Sequence, residues 1–251
     1  STLVQEMIFY ARNRRIDFRT RVDWQESHRL LKAGFALDIH AEHYRTETQF
    51  GHIHRPVHAN NSYEQAKFEV CAHKWIDISE SDYGVALLND SKYGHDSLDR
   101  MLSITLLTSS RAPDELADVG EHFFTYSLLP HRGAFSAESV VREAYEINVP
   151  VSVLPVAPGN GEETHISFCS TSNPNAVIEA VKKAEADDGL IVRVYEAGNT
   201  RGPVALTFCK PVRWACTCNL VETEGDAIEP DGKTVLLHLR PFEIKTLKVR
   251  F

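Results

Sequence analysis

The sequence has no stretch of about 18 consecutive apolar residues, so it offers no candidate transmembrane helix. No charged segment followed by an apolar one opens it, so no secretory signal is visible. Its basic residues form no stripe and its net charge is −8, which argues against a nucleic-acid partner. We therefore expect a soluble protein that binds neither membrane nor nucleic acid, and a neutral small molecule or sugar suits it as a ligand.

The cysteines lack the regular spacing of a disulfide framework. There are five of them, an odd number, at Cys71, Cys169, Cys209, Cys216 and Cys218. Free thiols are typical of a reducing compartment, so a cytoplasmic location is expected.

Several enzyme signatures are also missing. The sequence contains no Gly-x-Ser-x-Gly elbow, no phosphate-binding loop and no dinucleotide fingerprint. It begins at Ser1 rather than at a methionine, from which we expect a fragment of a longer protein.

What is present is a succession of short strands. In Arg15–Trp24 the apolar residues Ile16, Phe18, Val22 and Trp24 alternate with charged ones, as in a strand with one wet face. Similar segments recur along the first 130 residues without a long helix between them, which predicts a large antiparallel sandwich. The further predicted strands are Leu30–His40, Tyr44–Phe50, Gln65–Val70, Val85–Leu88, Met101–Leu107 and Phe123–Leu129, the last ending before Pro130. Ser136–Asn148 is predicted as a short helix or an extended connector.

A second unit follows the Pro- and Gly-rich break at Pro155–Gly161. Its strands are predicted at Ile166–Cys169, Gly189–Glu196, Val204–Cys209, Arg213–Asn219, Thr234–Leu239 and Glu243–Phe251, an immunoglobulin-sized set. Val177–Ala186 has the composition of a helix, but the Asp187-Asp188-Gly189 turn after it favours a hairpin strand. We expect two domains, residues 1–158 and 162–251.

Three clusters contain residue types that carry chemistry, and each has an ordinary structural alternative. His52, His54 and His58 have side chains that can bind a metal ion. Two of them at alternate strand positions could chelate, but a third ligand of known geometry is not evident, so polar histidines on a strand are the favoured interpretation. Cys216 and Cys218 would need further ligands to hold a soft metal, and ordinary thiols are favoured. Asp114, Asp118 and Glu121, just before His122, could supply the paired carboxylates of glycoside hydrolysis or form a solvated acidic loop, which is favoured.

Several stretches together resemble family 38 glycoside hydrolases, the α-mannosidases, in their bacterial and cytosolic branch. They are collinear and span nearly the whole chain. They are RIDFRTRVDW (Arg15–Trp24), FGHIHRPVH (Phe50–His58), AKFEVCAHKWIDISE (Ala66–Glu80), YGVALLNDSKYG (Tyr83–Gly94), RAPDELADVGEHFFTYSLLPH (Arg111–His131), NPNAVIEAVKKAEADDGLIVRVYEA (Asn173–Ala197) and RPFEIKTLKVRF (Arg240–Phe251).

The resemblance is to the C-terminal β region of those enzymes. It implies a galactose-mutarotase-like supersandwich followed by a smaller immunoglobulin-like sandwich. It also implies that the aspartate nucleophile and the catalytic zinc belong to an N-terminal domain outside this sequence, since none of the family's catalytic or metal motifs is found here. The intact protein is then expected to be a zinc-dependent, retaining α-mannosidase, and this fragment alone is expected to be inactive, with no catalytic and no metal-binding residue.

In the intact enzyme the larger sandwich is expected to pack against the catalytic domain and to help wall the sugar pocket with loops at one rim. The candidate substrate-contacting residues are Asn89, Asp90 and Tyr93 on one loop and Arg111, Asp114, Glu121 and His122 on another. The expected partners are the protein's own N-terminal catalytic domain and α-mannoside glycans. The alternatives are a stand-alone carbohydrate-binding module and a purely structural sandwich.

Overall fold

Antiparallel strands build nearly all of the chain, as the alternating pattern predicts. The structure, a computed structural model, describes residues 1–98, 100–155 and 165–251 and divides into two units, Ser1–Val151 and Ser152–Phe251. The predicted boundary between residues 158 and 162 lies outside the described residues. No helix in those ranges is long and apolar enough to cross a membrane.

The first unit is a large sandwich of two antiparallel sheets. One sheet has the strand order β1-β2-β11-β8-β7-β4-β5 and the other β3-β10-β9-β6. The strands are β1 (Thr2–Phe9), β2 (Ile16–Trp24), β3 (Leu30–Ala36), β4 (His43–Thr48), β5 (Gly51–Pro56), β6 (Val70–Cys71), β7 (Trp75–Ser79), β8 (Tyr83–Asn89), β9 (Gly94–Leu98), β10 (Met101–Thr108) and β11 (Gly120–Arg132).

The alternation in β2 determines which residues enter the core between the sheets. Phe18, Val22 and Trp24 are buried there, whereas Arg19 and Arg21 on the other face are exposed. Strand β8 is different, since every residue from Gly84 to Asn89 is buried. A π-helical turn (Ala137–Val141) and helix α2 (Arg142–Asn148) lie against the outer face of β7 and β8, which explains the continuous apolar run in β8.

The second unit is a smaller sandwich of a three-stranded sheet, ordered β12-β15-β18, and a five-stranded one, ordered β13-β14-β19-β16-β17. Its core is formed by valine, leucine, alanine and phenylalanine side chains. The strands are β12 (Cys169–Thr171), β13 (Ala176–Lys183), β14 (Leu190–Glu196), β15 (Gly202–Phe208), β16 (Trp214–Cys218), β17 (Glu224–Ile228), β18 (Thr234–Leu239) and β19 (Ile244–Arg250). The prediction of an all-β fold with a large and a small sandwich is confirmed.

The structure resolves two ambiguous segments, and for the second it confirms the favoured hairpin strand. Ser136–Asn148 is helical, and the side chain of Ser136 caps it by accepting a hydrogen bond from Ser139 N at 3.2 Å. Val177–Ala186 lies mostly in the strand Ala176–Lys183, which pairs with β14 as a hairpin.

Other predicted strands are wrong or misplaced. Gln65–Val70 is not a strand, because Asn61 caps a helical turn, α1 (Ser62–Gln65), by accepting from Glu64 N at 3.0 Å. Ile166–Cys169 is shifted, since β12 begins only at Cys169.

Strand β11 continues through Pro130 instead of stopping there. The pairing of β11 with β2 ends at Leu128, so the β2–β11 ladder loses no hydrogen bond through the missing N–H of Pro130.

Candidate functional site

The predicted site residues lie at one end of the large sandwich. Strand β8 ends at Asn89 beside Tyr126 of β11, and β11 begins at Gly120 opposite Trp24, the last residue of β2. Strand β10 ends at Thr108 beside the start of β3. Because these strands are antiparallel, the turns 25–29, 90–93 and 109–119 lie toward the same end of the sandwich, which we call the rim.

Asn89 shapes the rim from within. Its side chain is almost fully buried; Nδ2 donates to His73 O at 2.8 Å, and Oδ1 accepts from Ser91 N at 3.1 Å and Lys92 N at 2.6 Å. The amide thus closes an Asx turn and fixes the path of the 90–93 loop. Asn89 therefore positions its neighbours and does not itself reach outward.

Asp90 and Lys92 connect this loop to β11 and to the second loop. Asp90 Oδ2 accepts from Thr125 N at 2.8 Å, and Lys92 Nζ lies 4.3 Å from the centre of the Phe124 ring. Burial lowers the pKa of Lys92, while the charges of Asp118 and Asp90 oppose that change. The two predicted loops therefore lie within electrostatic reach of one another.

The 109–119 loop is braced by its own polar groups. Arg111 Nε donates to Ser27 Oγ at 2.8 Å, and its Nη1 donates to Glu115 O at 2.6 Å. Asp114 Oδ1 accepts from Leu116 N at 2.9 Å. Arg111 thus holds the loop against the neighbouring 25–29 turn.

The carboxylates near His122 serve separate structural contacts. Asp118 Oδ2 accepts from Thr108 N at 2.8 Å, and His122 Nε2 donates to Asp118 O at 2.8 Å. Glu121 is paired with Arg21 on β2. Each carboxylate is engaged by a different partner, which is the arrangement of a braced loop rather than of an acid and nucleophile acting on one bond.

Tyr93 is open to solvent. The residue is 56% exposed, and the ring packs edge-on against His73 with 5.5 Å between the ring centres. Its backbone is fixed as well, since Tyr93 O accepts from Ala72 N at 3.0 Å. An exposed, anchored aromatic ring with a hydroxyl group is suited to stacking on a sugar and hydrogen-bonding it.

The three histidines do not form a chelate. The rings of His52 and His54 stack with centres 5.9 Å apart, and His58 Nδ1 lies 3.3 Å from Glu64 Oε2. Within the described ranges, no three His, Cys, Asp or Glu side chains are grouped to hold a metal ion. The alternative of a metal site in this cluster is therefore not supported.

His54 and His58 instead line a cleft on the side of the large sandwich, with a volume of about 120 Å³. The fully buried His95 also lines it, and burial lowers the pKa of His95 to about 4, so that its ring is neutral at physiological pH.

The cysteines are all unpaired. Burial raises the pKa of Cys169 to about 11 and also raises the pKa values of Cys216 and Cys218. These three are the inert thiols that the sequence favours.

Sequence reasoning missed Lys92 and Phe123. Phe123 lies on the outer face of β11, where the Arg21 guanidinium carbon is 5.5 Å from its ring centre. Phe123 and Arg21 line a shallow depression of about 370 Å³, together with Val4 and Arg19. The double phenylalanine Phe123-Phe124 was a usable signal, because adjacent strand residues face opposite ways and only one of the two can enter the core.

Comparison with known proteins yields one family from sequence, and a shared fold from structure. Two family models match, Glycosyl hydrolases family 38 C-terminal domain over residues 1–116 and Glycosyl hydrolases family 38 C-terminal beta sandwich domain over residues 175–247. Alpha-mannosidase G of Dictyostelium discoideum is 38% identical over 97% of this chain, and Alpha-mannosidase 2C1 of Mus musculus is 40% identical over 98%.

The matches cover only part of those proteins. The chain spans 23% of the Dictyostelium protein and 24% of the mouse protein, about a quarter of their length. An alpha-mannosidase structure from Enterococcus faecalis superposes with a TM-score of 0.83 at 21% identity, covering 99% of this chain and 29% of that one. The likeness to that structure establishes the shared fold.

Proposed function

This chain belongs to glycosyl hydrolase family 38, and we propose that it is the non-catalytic C-terminal part of an α-mannosidase, where it supports the active site and partly walls it through the rim. The observation that carries the proposal is that both candidate loops lie toward the same end of the large sandwich, with Tyr93 exposed between braced neighbours. A rigid scaffold that holds a few polar groups at its edge is suited to completing a sugar pocket built mainly by another domain.

The chemistry is assigned to the preceding part of the protein. We propose that the intact enzyme removes terminal α-linked mannose from glycans or oligosaccharides with retention, using an aspartate nucleophile and a zinc ion that lie in the N-terminal domain. The residues described here do not offer a metal cluster, so no step of the reaction is placed on them. The five unpaired thiols support a cytoplasmic location for the intact enzyme.

An assay with a chromogenic α-mannoside and added zinc tests the assignment. We expect turnover by the full-length protein and none by this chain alone. Turnover by this chain alone would overturn the placement of the catalytic groups, and no turnover by either would overturn the family activity as proposed here.

A second test asks whether the rim touches sugar. In the full-length enzyme, Tyr93→Ala should raise KM for the α-mannoside by roughly tenfold, since one stacking or hydrogen-bonding contact is worth about 1 kcal/mol or more. Tyr63→Ala is the matched control, because Tyr63 is even more exposed but lies on α1. Asp90→Ala and Arg111→Ala should act through loop position, lowering kcat as well.

A purely structural role is the second candidate, and one observation favours it. Six of the seven predicted residues, Asn89, Asp90, Arg111, Asp114, Glu121 and His122, already bond to groups of their own sandwich. Unchanged KM and kcat in the Tyr93, Asp90 and Arg111 variants would establish this candidate over the rim-contact proposal.

A further inference from the structure

Strand β1 exposes apolar side chains on both of its faces. Leu3, Met7 and Phe9 lie on the face that continues the core, since their partners Val22, Phe18 and Ile16 point into it. Val4 lies on the opposite face. These four side chains are between 46 and 70% exposed, which is unusual for apolar residues in a regular strand.

Neighbouring residues extend this apolar surface toward the rim. Val4 of β1 pairs with Arg21 of β2, and Arg21 pairs in turn with Phe123 of β11. Phe123 is 69% exposed. Leu116 and Val119 of the 109–119 loop are exposed as well. We call Leu3, Val4, Met7, Phe9 and Phe123 the β1 surface. Leu3, Met7 and Phe9 lie on one face of the sheet and Val4 and Phe123 on the other, and Phe123 lies near the start of β11, which follows the 109–119 loop.

The strand is also open along one edge. Among the described residues, β1 pairs with β2 alone, so the backbone N–H and C=O groups of every second residue of this eight-residue strand point away from the sheet. Natural edge strands are commonly guarded by lysine, proline, bulges or short length. β1 has no bulge in its register with β2 and carries a single charge, Glu6.

We propose that the β1 surface is where the N-terminal part of the α-mannosidase docks, with an extended segment of that part pairing along the open edge of β1. The inference rests on the proposed function and adds the contact surface to it. Both matching family models are C-terminal regions, and the relatives are about four times as long as this chain, so most of such a protein lies ahead of this region.

Two features single out that occupant. Phe123 of the β1 surface lies near the start of β11, just after the 109–119 loop, so a domain seated on it would lie beside a loop proposed to wall the sugar pocket. Apolar residues on both faces of one strand require a partner that wraps it, which an extended segment plus a packed surface provides.

Hydrogen exchange measured by mass spectrometry tests the docking directly. Amides in Thr2–Phe9 should exchange at least about tenfold more slowly in the full-length protein than in this chain alone, because both the strand edge and its faces become covered. Strand β17, Glu224–Ile228, is the internal control, since it is also an edge strand and should exchange equally in both proteins.

Paired substitutions in the full-length protein then test the side chains. Phe123→Glu and Met7→Glu should return β1 to fast exchange, whereas Phe68→Glu, at another highly exposed phenylalanine, should leave it protected. Protection of β1 that survives Phe123→Glu and Met7→Glu alike would overturn the proposal for this surface.

The outcomes separate this inference from the proposed function. Unprotected β1 in a full-length protein that hydrolyses α-mannosides would overturn the docking and leave the function standing. Protected β1 in a full-length protein without that activity would support the docking and overturn the function. A chain that dimerises on its own in sedimentation, with β1 equally protected in both proteins, would identify a second copy as the occupant and overturn the proposal.

Discussion

The two sandwiches differ in what they bury. The small one encloses an apolar core, and its buried polar side chains, among the described residues, are Glu196, Thr246 and Lys248. The large one buries many more, including Asp17, Glu47, Asp77, His95 and His131. The core of the small sandwich is therefore held mainly by apolar packing, whereas the large sandwich also depends on hydrogen bonds and ion pairs between buried polar side chains.

Asp77 provides the severest test of that difference. Its fully buried carboxylate accepts from His131 Nε2 at 2.7 Å and from Ser79 Oγ at 3.0 Å, with Arg45 3.6 Å away. Asp77→Ala should destabilise the large sandwich by about 3–5 kcal/mol, since the remaining groups lose their buried partner. Urea unfolding followed by hydrogen exchange reports each sandwich separately.

Lys248→Met is the counterpart in the small sandwich. Lys248 pairs with Asp187 at 2.7 Å and Glu224 at 3.0 Å, both open to water, and Arg250 also contacts Asp187. We expect a much smaller loss, because water and Arg250 can serve the two acids. Equal losses of stability in Asp77→Ala and Lys248→Met would show that the two sandwiches do not differ in how far they depend on buried polar contacts.

His95 predicts how the large sandwich responds to acid. The pKa of His95 is about 4 in the folded protein, compared with an ordinary value of 6.5. Between these values the unfolded chain therefore binds a proton at His95 and the folded protein does not. The contribution of His95 to the free energy of unfolding should be fully present above pH 6.5 and should fall by about 3 kcal/mol as the pH drops to 4. His95→Gln should flatten this part of the unfolding curve against pH; a curve of unchanged steepness would contradict the assignment.

Glycine substitutions sharpen the comparison on a smaller scale. A Cβ on Gly84 would lie 2.3 Å from His131 Cε1 and 2.6 Å from Ser79 Cβ, so Gly84→Ala should cost about 1–3 kcal/mol. Gly202 of the small sandwich has no atom within 4 Å of the same position, and Gly202→Ala should change stability by less than about 0.5 kcal/mol. Thermal unfolding compares the two variants, and a loss at Gly202 that matches the loss at Gly84 would speak against the crowding.

Thiol labelling is the mildest probe, since it leaves the fold intact. Cys71 of the large sandwich is exposed, whereas burial raises the pKa values of Cys169, Cys216 and Cys218 in the small one. Ellman's reagent at pH 8 should therefore show a fast phase that Cys71→Ser abolishes. A fast phase that persists in Cys71→Ser but is lost when Cys209→Ser is added would belong to the half-buried Cys209. A fast phase that survives both substitutions would show that the small sandwich opens more readily than its core suggests.

The same difference explains what the sequence predicts. The hairpin of β13 and β14 and the strand Thr234–Leu239 follow from apolar patterning and turn chemistry, because the small core is apolar throughout. In the large sandwich β7 was not predicted, since Asp77 interrupts its apolar residues and finds its partner His131 54 positions away. Strand β9, GHDSL, reads as a turn but buries His95.

The candidate site shows the same limit. The sequence places polar residues at the end of β8 and before β11, and the structure brings them to one rim. It does not reveal that Asn89 turns inward while Tyr93 stays open, because that choice depends on the backbone groups of His73, Ser91 and Lys92. Local patterning thus locates the loops, and only the tertiary contacts sort their side chains.

The open strand β1 also bears on how such a protein is made and maintained. A strand with apolar faces, a free edge and one charge can pair with any extended chain that it meets, including another copy of itself. If the docking proposed for β1 holds, loss of that contact would expose an aggregation-prone strand while both sandwiches stay folded, and chaperones and proteases that bind exposed apolar segments would then act on the protein.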